Sequence, residues 1–193
     1  MAIIMIITAI VFTSQNAFNQ TLVLANTAYD VALSLRSAES FGLGARGASG
    51  VTNAGYGIHF TVGNTFVSFA DTAGGVSCNN STPICKIGDG VYTAGSDSSA
   101  AQTTIGNGVT VSKFCALSGI TSVWSCSSGT LTSIDVVFTR PDPTPSIKSK
   151  STSGGPVVSY SNACIELSSP QGAKRFVSVE ASGEINANET SCP

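Results

Sequence analysis

The chain has 193 residues with a formal net charge of −2, and only 10% of its side chains are charged, against about 25% in an ordinary soluble domain. The near-neutral balance excludes a broadly basic nucleic-acid binder, and the many aliphatic residues exclude wholesale disorder. This length suits one domain, or one domain with an appendage. The charges are also unevenly placed, because no Asp, Glu, Lys, Arg or His occurs from Met1 through Tyr29.

An apolar run opens the chain from Ala2 to Phe12, interrupted only by Thr8. As a helix rising about 1.5 Å per residue it covers roughly 17 Å, short of the ~30 Å hydrocarbon core of a bilayer. It also lacks the basic segment and cleavage site of a secretory signal. The run therefore indicates half of a helix for a membrane or a filament core, carried by Ile3, Ile4, Ile6, Ile7, Ile10 and Val11.

The apolar pattern then narrows to one stripe with steps of three and four residues, which is typical of an amphipathic helix. We expect this helix to reach about Ser40 and to end at the glycine-rich GLGARG, 42–47, because glycine tolerates the backbone conformation at helix ends. The residues expected to pack the helix onto the rest of the protein are Phe18, Leu22, Ala25, Tyr29 and Leu35. The pattern predicts two domains, an N-terminal helix over 1–46 and a β-rich head over 47–193.

Short strand-like runs separated by Gly, Ser, Asn and Pro follow from Val51 onward. GYGIHF (55–60) and TFVSFA (65–70) predict a hairpin. Further strands are predicted over 108–114, 131–140, 156–167, 174–180 and 183–185, and 141–155 is predicted to be a loop joining two strands. The expected fold class is α+β, with a long hydrophobic and amphipathic helix packed on a head of antiparallel sheets.

Six cysteines lie between positions 78 and 192, at Cys78, Cys85, Cys115, Cys126, Cys164 and Cys192. An even number without any C-x-x-C pair favours disulfides over a zinc site. Six cysteines allow 15 pairings, so spacing alone does not fix the connectivity. The preferred set joins Cys78 to Cys85 and Cys115 to Cys126, which leaves Cys164 with Cys192.

Four patterns could carry chemistry, and each has a more ordinary explanation. GLGARG matches G-x-G-x-x-G, but it follows a helix where a dinucleotide site needs it to precede one. His59 is the only histidine, no G-x-S-x-G motif accompanies it, and a structural or surface role is favoured. Glu180 and Glu184 are interpreted as solvated charges near a turn. The acidic residues near glycines, Asp71, Asp89 and Asp97, lack the ligand spacing of an EF-type calcium loop.

The basic residues are concentrated at Arg140, Lys148, Lys150, Lys174 and Arg175. Five positive charges can hold phosphates by counterion release. Acidic residues offset them, so we interpret them as a solvated loop and strand end. We therefore predict no enzyme activity, no cofactor, no metal, no small-molecule substrate and no nucleic-acid partner.

Several segments together resemble type IV pilins and pseudopilins, most closely the minor pseudopilins of the type II secretion H class and the related competence pilins. LANTAYDVALSLRSAESFGLGAR (24–46) is similar to the second half of the pilin helix, and YGIHF followed by FVSFAD is similar to the first hairpin. LTSIDVVFTRPDPTPSI and ELSSPQGAKRFVSVEASGEI resemble the later strands. The prepilin leader and the glutamate near the processed N-terminus are missing, and the C-terminal ASGEINANETSCP lacks the Arg-rich motif of DNA-binding competence pilins.

This resemblance implies a non-enzymatic subunit of a type IV pilus or type II secretion pseudopilus. Its partners would be other pilin or pseudopilin subunits, an inner-membrane assembly platform, and membrane lipid before assembly. It also implies a single pass through the cytoplasmic membrane with an extracytoplasmic head, and a leader and the start of the helix upstream of Met1. The alternative expectations are a secreted or surface-anchored binding module, adhesin-like, and a pilin for DNA uptake.

Overall fold

A computed structural model describes residues 2–44, 46–48, 53–73, 88–150, 156–189 and 191–192. One helix, α1, runs over Ala2–Leu43. The eleven strands are β1 (Gly55–Phe60), β2 (Thr65–Asp71), β3 (Ser98–Thr104), β4 (Thr110–Leu117), β5 (Trp124–Cys126), β6 (Ser133–Thr139), β7 (Asp142–Lys150), β8 (Val157–Tyr160), β9 (Asn162–Ser168), β10 (Lys174–Val179) and β11 (Ile185–Glu189).

The strands form two sheets in which every named pair is antiparallel. Sheet I has six strands in the order β3-β2-β1-β6-β7-β8, and sheet II has five in the order β11-β10-β9-β4-β5. An isolated bridge between Gly63 and Val111 connects the β1–β2 turn of sheet I to β4 of sheet II. The two sheets are therefore joined by backbone hydrogen bonds as well as by the chain.

One apolar core unites the helix with both sheets. Alternate residues of the sheet I strands, such as Ile58 and Val136, point into it, and so do Phe114 and Ile165 from sheet II. Helix α1 packs against β1 and β6 of sheet I and against β10 and β11 of sheet II. The helix is thus a layer of the same core that holds the sheets together.

The expected α+β class is wrong, because the described structure is mostly β: two antiparallel sheets of eleven strands against a single helix. The predicted architecture, a hydrophobic membrane helix packed on a head, is wrong as well. Within the described residues, no helix combines the length and the apolar character that a bilayer span requires. Thr13, Ser14, Gln15 and Asn16 follow the opening apolar run and dilute it. The expected single-pass location in the inner membrane is therefore not supported.

The strand predictions succeeded where apolar residues alternate and failed elsewhere. β1 occupies 55–60 as predicted, and β6 and β10 fall inside their predicted ranges. The predicted loop over 141–155 is wrong over much of its length, because β7 occupies Asp142–Lys150. Pro143 and Pro145 are tolerated there because β8 pairs with β7 only from Ile147 onward, which leaves the proline-bearing half at an open edge.

Helix α1 ends against strand β6 at a glycine. A Cβ at Gly42 would lie 2.2 Å from the carbonyl oxygen of Phe138, so only glycine permits this approach. The amide of Gly44 donates to the carbonyl of Ser40 at 2.9 Å and closes the last turn. GLGARG therefore ends the helix, and its first glycine also sets how closely the helix meets sheet I.

Candidate functional site

A row of charged side chains crosses the face of sheet I that points away from the core. His59 on β1 pairs with Asp135 on β6, and Asp135 pairs with Lys148 on β7. Directly paired residues project to the same face of an antiparallel sheet. Asp71 lies on that face too, because it pairs with Gly55, which precedes His59 by four residues. We call His59, Asp71, Asp135 and Lys148 the polar row.

A segment from Gly88 to Asp97, the covering loop, lies over this face. The Tyr92 ring stands 4.9 Å from the His59 ring and 5.2 Å from the Phe69 ring, measured between centroids. Phe69 and Val137 are buried, yet both lie outside the main core. The covering loop therefore encloses a second, smaller apolar layer together with the polar row.

Carboxylates of the sheet hold the covering loop through its backbone. The amide of Gly90 donates to Asp71 Oδ2 at 2.7 Å, and the amide of Tyr92 donates to Asp135 Oδ1 at 3.3 Å. Asp135 Oδ1 also lies 2.6 Å from His59 Nδ1. Lys148 Nζ donates to the carbonyl oxygen of Asp89 in the loop. These contacts tie the loop to strands β2, β6 and β7.

Asp97 and Asp89 shape the covering loop from within. Asp97 Oδ2 accepts from the amide of Thr93 at 2.7 Å, and its Oδ1 accepts from the amides of Thr72 and Ala73 at 3.0 Å each. Asp89 Oδ1 accepts from the amide of Val91 at 3.0 Å. Asp97 is therefore saturated by backbone donors, and it fixes the end of the loop to the end of β2.

Asp71 is the member of the polar row whose negative charge is stabilised least by its surroundings. The residue is 3% exposed, and its Oδ1 has no hydrogen-bond partner among the described residues. Burial raises the pKa of Asp71 to about 7, with the hydrogen bond from Gly90 opposing and the carboxylates of Asp97 and Asp89 adding to the rise. A Cβ at Gly88, where φ is +147°, would lie 2.2 Å from Asp71 Cγ, so the loop fits tightly over this carboxyl.

A cavity of about 230 Å³ adjoins Asp71. Its walls include Lys148, Ser146 and Thr139 as well as the glycines of the covering loop. The structure thus brings together Asp71, Asp89 and Asp97, which the sequence analysis considered for calcium. Among the described residues, no group of three or more His, Cys, Asp or Glu side chains could hold a metal ion.

The other candidates from the sequence lie apart from the polar row. Glu180 and Glu184 sit at the β10–β11 turn, where the amide of Glu180 donates to the carbonyl of Glu184 at 2.9 Å. The basic residues are divided between the sheets: Lys148 lies in β7, whereas Lys174 in β10 forms an ion pair with Glu166 at 2.8 Å.

The cysteines form two disulfides within the described residues. Cys115 pairs with Cys126 between β4 and β5, and Cys164 on β9 pairs with Cys192 near the end of the chain. Both belong to the set preferred from the sequence. Cys78 and Cys85 lie outside the described residues. All four described cysteines belong to sheet II or its C-terminal extension.

The face of α1 that packs against the sheets differs from the one predicted from the sequence. Leu35 is buried as expected, and Ala25 is half-buried, but Leu22 and Tyr29 are exposed. The side chain of Phe18 lies outside the described part of the chain. The helix presents to the sheets a different stripe, which consists of Leu24, Ala28, Val31, Ala32, Leu35 and Ala38. The prediction favoured large residues, whereas the contact uses alanines that let the helix approach the sheets closely.

The opposite face of α1 carries large apolar side chains in solvent. Ile4 is 66% exposed, Leu22 47%, Tyr29 53% and Leu33 65%. Eighteen residues make about five turns of helix, so Ile4 and Leu22 share a face, and steps of seven and four keep Tyr29 and Leu33 on it. We call these four residues the outer stripe. Ile3 and Ile4 are exposed, and the side chains of Ile6, Ile7, Ile10 and Val11 lie outside the described set.

A groove of about 430 Å³ lies between the end of α1 and strands β2 and β3. Phe41 and Ser37 of the helix form one wall, and Ser68, Ser99 and Thr103 of the strands form the other side. The Arg46 guanidinium stacks 4.5 Å from the centre of the Phe41 ring at the mouth. The groove combines an aromatic surface, hydroxyl groups and one positive charge.

The sequence analysis missed Asp135, Tyr92 and Leu33. A signal existed for Asp135, because it interrupts the buried alternation of Ile134, Val136 and Phe138 and must therefore project from the other face. Tyr92 lies in a Gly- and Ser-rich excursion without any periodic pattern, so its position over His59 had no local signal.

Comparison of the chain with protein-family models, with curated proteins and with solved structures found no match. The functional conclusions below therefore depend on this chain's own residues and on the resemblance noted in its sequence.

Proposed function

We propose that the protein is a non-enzymatic structural subunit of a filament of the type IV pilus or type II secretion pseudopilus class, and that its copies associate through helix α1. The observation that carries the proposal is the outer stripe. One face of α1 packs on both sheets, while the opposite face leaves Ile4, Leu22 and Leu33 in solvent. Tyr29 on the same face is 53% exposed and donates its hydroxyl to Asn188 Oδ1 of β11 at 3.0 Å. A helix that is apolar on two opposite faces has one surface more than its own domain uses.

The occupant of the outer stripe would be α1 of another copy. The helix carries no Asp, Glu, Lys, Arg or His before Asp30, so two such helices can pack along this length without burying an unpaired charge. Leu22, Tyr29 and Leu33 recur at steps of seven and four, which is the spacing that presents apolar side chains to a neighbouring helix.

The test compares aspartate substitutions on the outer stripe with an aspartate substitution on a different exposed surface. Leu33→Asp combined with Leu22→Asp places charge on the outer stripe, and Ile120→Asp does so at a side chain that is 96% exposed on the β4–β5 connection. We expect the wild-type protein and Ile120→Asp to form concentration-dependent assemblies by sedimentation velocity and electron microscopy. The double variant should remain monomeric with an unchanged circular dichroism spectrum.

A wild-type protein that stays monomeric at every concentration would contradict the proposal. So would an Ile120→Asp variant that loses assembly as fully as the double variant, because assembly would then depend on another surface or on overall charge.

A second candidate, a binding module of the adhesin type, is favoured by the groove beside Phe41 and Arg46. Aromatic rings with nearby hydroxyl groups suit glycans and peptides. Phe41→Ala would abolish binding to a glycan or peptide array under this hypothesis and would leave the assembly of the filament subunit unchanged.

A further inference from the structure

The polar row distinguishes Asp71 from the other carboxyls that hold the covering loop. Asp97 accepts three backbone hydrogen bonds. Asp135 lies against His59 and accepts from Tyr92. Asp71 Oδ2 accepts from the amide of Gly90, and its Oδ1 is buried with no hydrogen-bond partner among the described residues. Unlike Asp135, which lies against His59, it forms no ion pair within the part of the chain that the structure describes. An ionised carboxylate in this position is poorly solvated, whereas a protonated carboxyl is tolerated.

The charges facing Asp71 oppose its ionisation. From the covering loop, the carboxylates of Asp89 and Asp97 both act on it in the direction that favours the protonated form. From β7, Lys148 shares the adjoining cavity, but its ammonium group donates to the carbonyl oxygen of Asp89. His59 and Asp135 lie further along the same face and pair with each other. Among the described residues, the groups that act on the Asp71 carboxyl therefore come from the covering loop.

We propose that Asp71 is a proton-controlled latch: the covering loop is docked on sheet I while the carboxyl is protonated, and it releases when the carboxyl ionises. Release gives the carboxylate access to water, which docking denies it. Release also uncovers Phe69 and Val137, which the loop buries apart from the main core. The latch therefore couples loss of the Asp71 proton to the exposure of an apolar surface on sheet I.

The sign and size of the effect follow from proton linkage. The pKa of Asp71 is about 7 with the loop docked, and the ordinary value is 3.8. The docked state thus binds the proton more tightly than the released state. Docking is favoured most at low pH, and its equilibrium constant falls about tenfold per pH unit between these limits and levels off above pH 7.

Amide hydrogen exchange at Gly90 reports the latch directly, because this amide donates to Asp71 Oδ2. Protection factors, which remove the intrinsic pH dependence of exchange, would be measured at pH 5 and pH 8. We expect protection at Gly90 to fall by about two orders of magnitude in the wild-type protein. The amide of Ile165, in a central strand of sheet II, serves as the internal reference and should change much less.

Asp71→Asn keeps a carbonyl oxygen for the Gly90 amide and cannot ionise, so its Gly90 protection should be equal at the two pH values. Glu180→Gln removes an exposed carboxylate from the β10–β11 turn and should retain the wild-type fall. Equal protection at both pH values in the wild-type protein would overturn the latch, as would a fall that persists in Asp71→Asn. If Asp71→Asn does not fold, Asp89→Asn replaces it. Loss of that neighbouring charge should reduce the fall, and an undiminished fall would overturn the proposal.

Discussion

Two buried carboxyls, one in each sheet, have opposite electrostatic environments. Burial raises the pKa of Asp71 on β2 of sheet I to about 7; the neighbouring carboxylates of Asp97 and Asp89 add to the rise, and backbone hydrogen bonds such as that from Gly90 oppose it. Glu166 on β9 of sheet II is also buried, and burial alone would raise its pKa. Hydrogen bonds from Lys174 and Ser112 outweigh that effect and lower it. Burial alone therefore does not decide whether the pKa of a carboxyl rises or falls. The presence of a cationic hydrogen-bond partner decides it here.

The two carboxyls also connect different parts of the molecule. Glu166 links neighbouring strands of one sheet, since Lys174 lies on β10 and Ser112 on β4. Asp71 links a sheet to a loop. Neighbouring strands are joined by many hydrogen bonds, whereas the covering loop is joined to sheet I by a few. A change at Asp71 therefore affects a larger share of the contacts that hold the loop than a change at Glu166 affects in sheet II.

The largest expected effect is at Asp71. The folded protein binds the Asp71 proton more tightly than the unfolded chain, so this residue makes stability highest below pH 3.8 and lowers it as pH rises to about 7. Three pKa units correspond to about 4 kcal/mol. Asp71→Asn should therefore be more stable than the wild-type protein at pH 8 by up to about 4 kcal/mol, measured by urea unfolding.

The advantage of Asp71→Asn should shrink steadily as the pH is lowered toward 4. A constant difference between the variant and the wild-type protein over pH 4–8 would show that Asp71 does not titrate between these values on folding.

A smaller effect on stability is expected at Gly88, where the covering loop contacts the carboxyl of Asp71. Gly88→Ala places a Cβ 2.2 Å from Asp71 Cγ at a φ of +147° and should destabilise the protein by about 2–3 kcal/mol. Gly95→Ala is the matched control, because Gly95 also has a positive φ, +77°, but open space around its Cα. Its cost should be about 1 kcal/mol, from backbone strain alone. Thermal unfolding of the two variants compares them, and equal losses would deny the close contact at Gly88.

The smallest effect is expected at Glu166. Its lowered pKa stabilises the fold at neutral pH, and this contribution is lost as pH falls through the folded-state pKa. Because Lys174 is half-exposed, Glu166→Gln should cost about 1 kcal/mol at pH 7. The difference from the wild-type protein should vanish in acid, as it does at Asp71, but with the opposite sign, because here the variant is the less stable protein. Equilibrium unfolding would contradict this prediction if the stability lost in Glu166→Gln became larger as the pH is lowered.

The sequence predicted most of the strands that carry alternating apolar residues, because alternation has a direct structural cause. Ile58, Phe60, Ile134 and Val136 all face the core, and their strands were found. Strand β3 was missed because SSAAQTT lies at an exposed edge and carries no apolar alternation. β7 was missed because its prolines indicate a loop unless one knows that the neighbouring strand stops short of them.

The fold class was wrong for a different reason. The charge-free lead from Met1 through Tyr29 is the strongest pattern in the sequence, and it was given more weight than the many short strands that form the two sheets. The polar row could not be predicted as a site, because His59 and Asp135 are 76 residues apart and meet only through strand pairing. The alternation around Asp135 could have placed its side chain on the outer face, but not its partners.

The seating of α1 has a mechanical consequence. Gly42 fixes the end of the helix against β6, and Arg36 Nη2 donates to the carbonyl oxygen of Ile185 in β11 at 3.1 Å. A pulling force applied to the helix is therefore shared between sheet I and sheet II at once. Neither sheet can be peeled away from the helix by itself, so the protein should resist extension as a single unit, with one rupture event in place of a series of smaller ones.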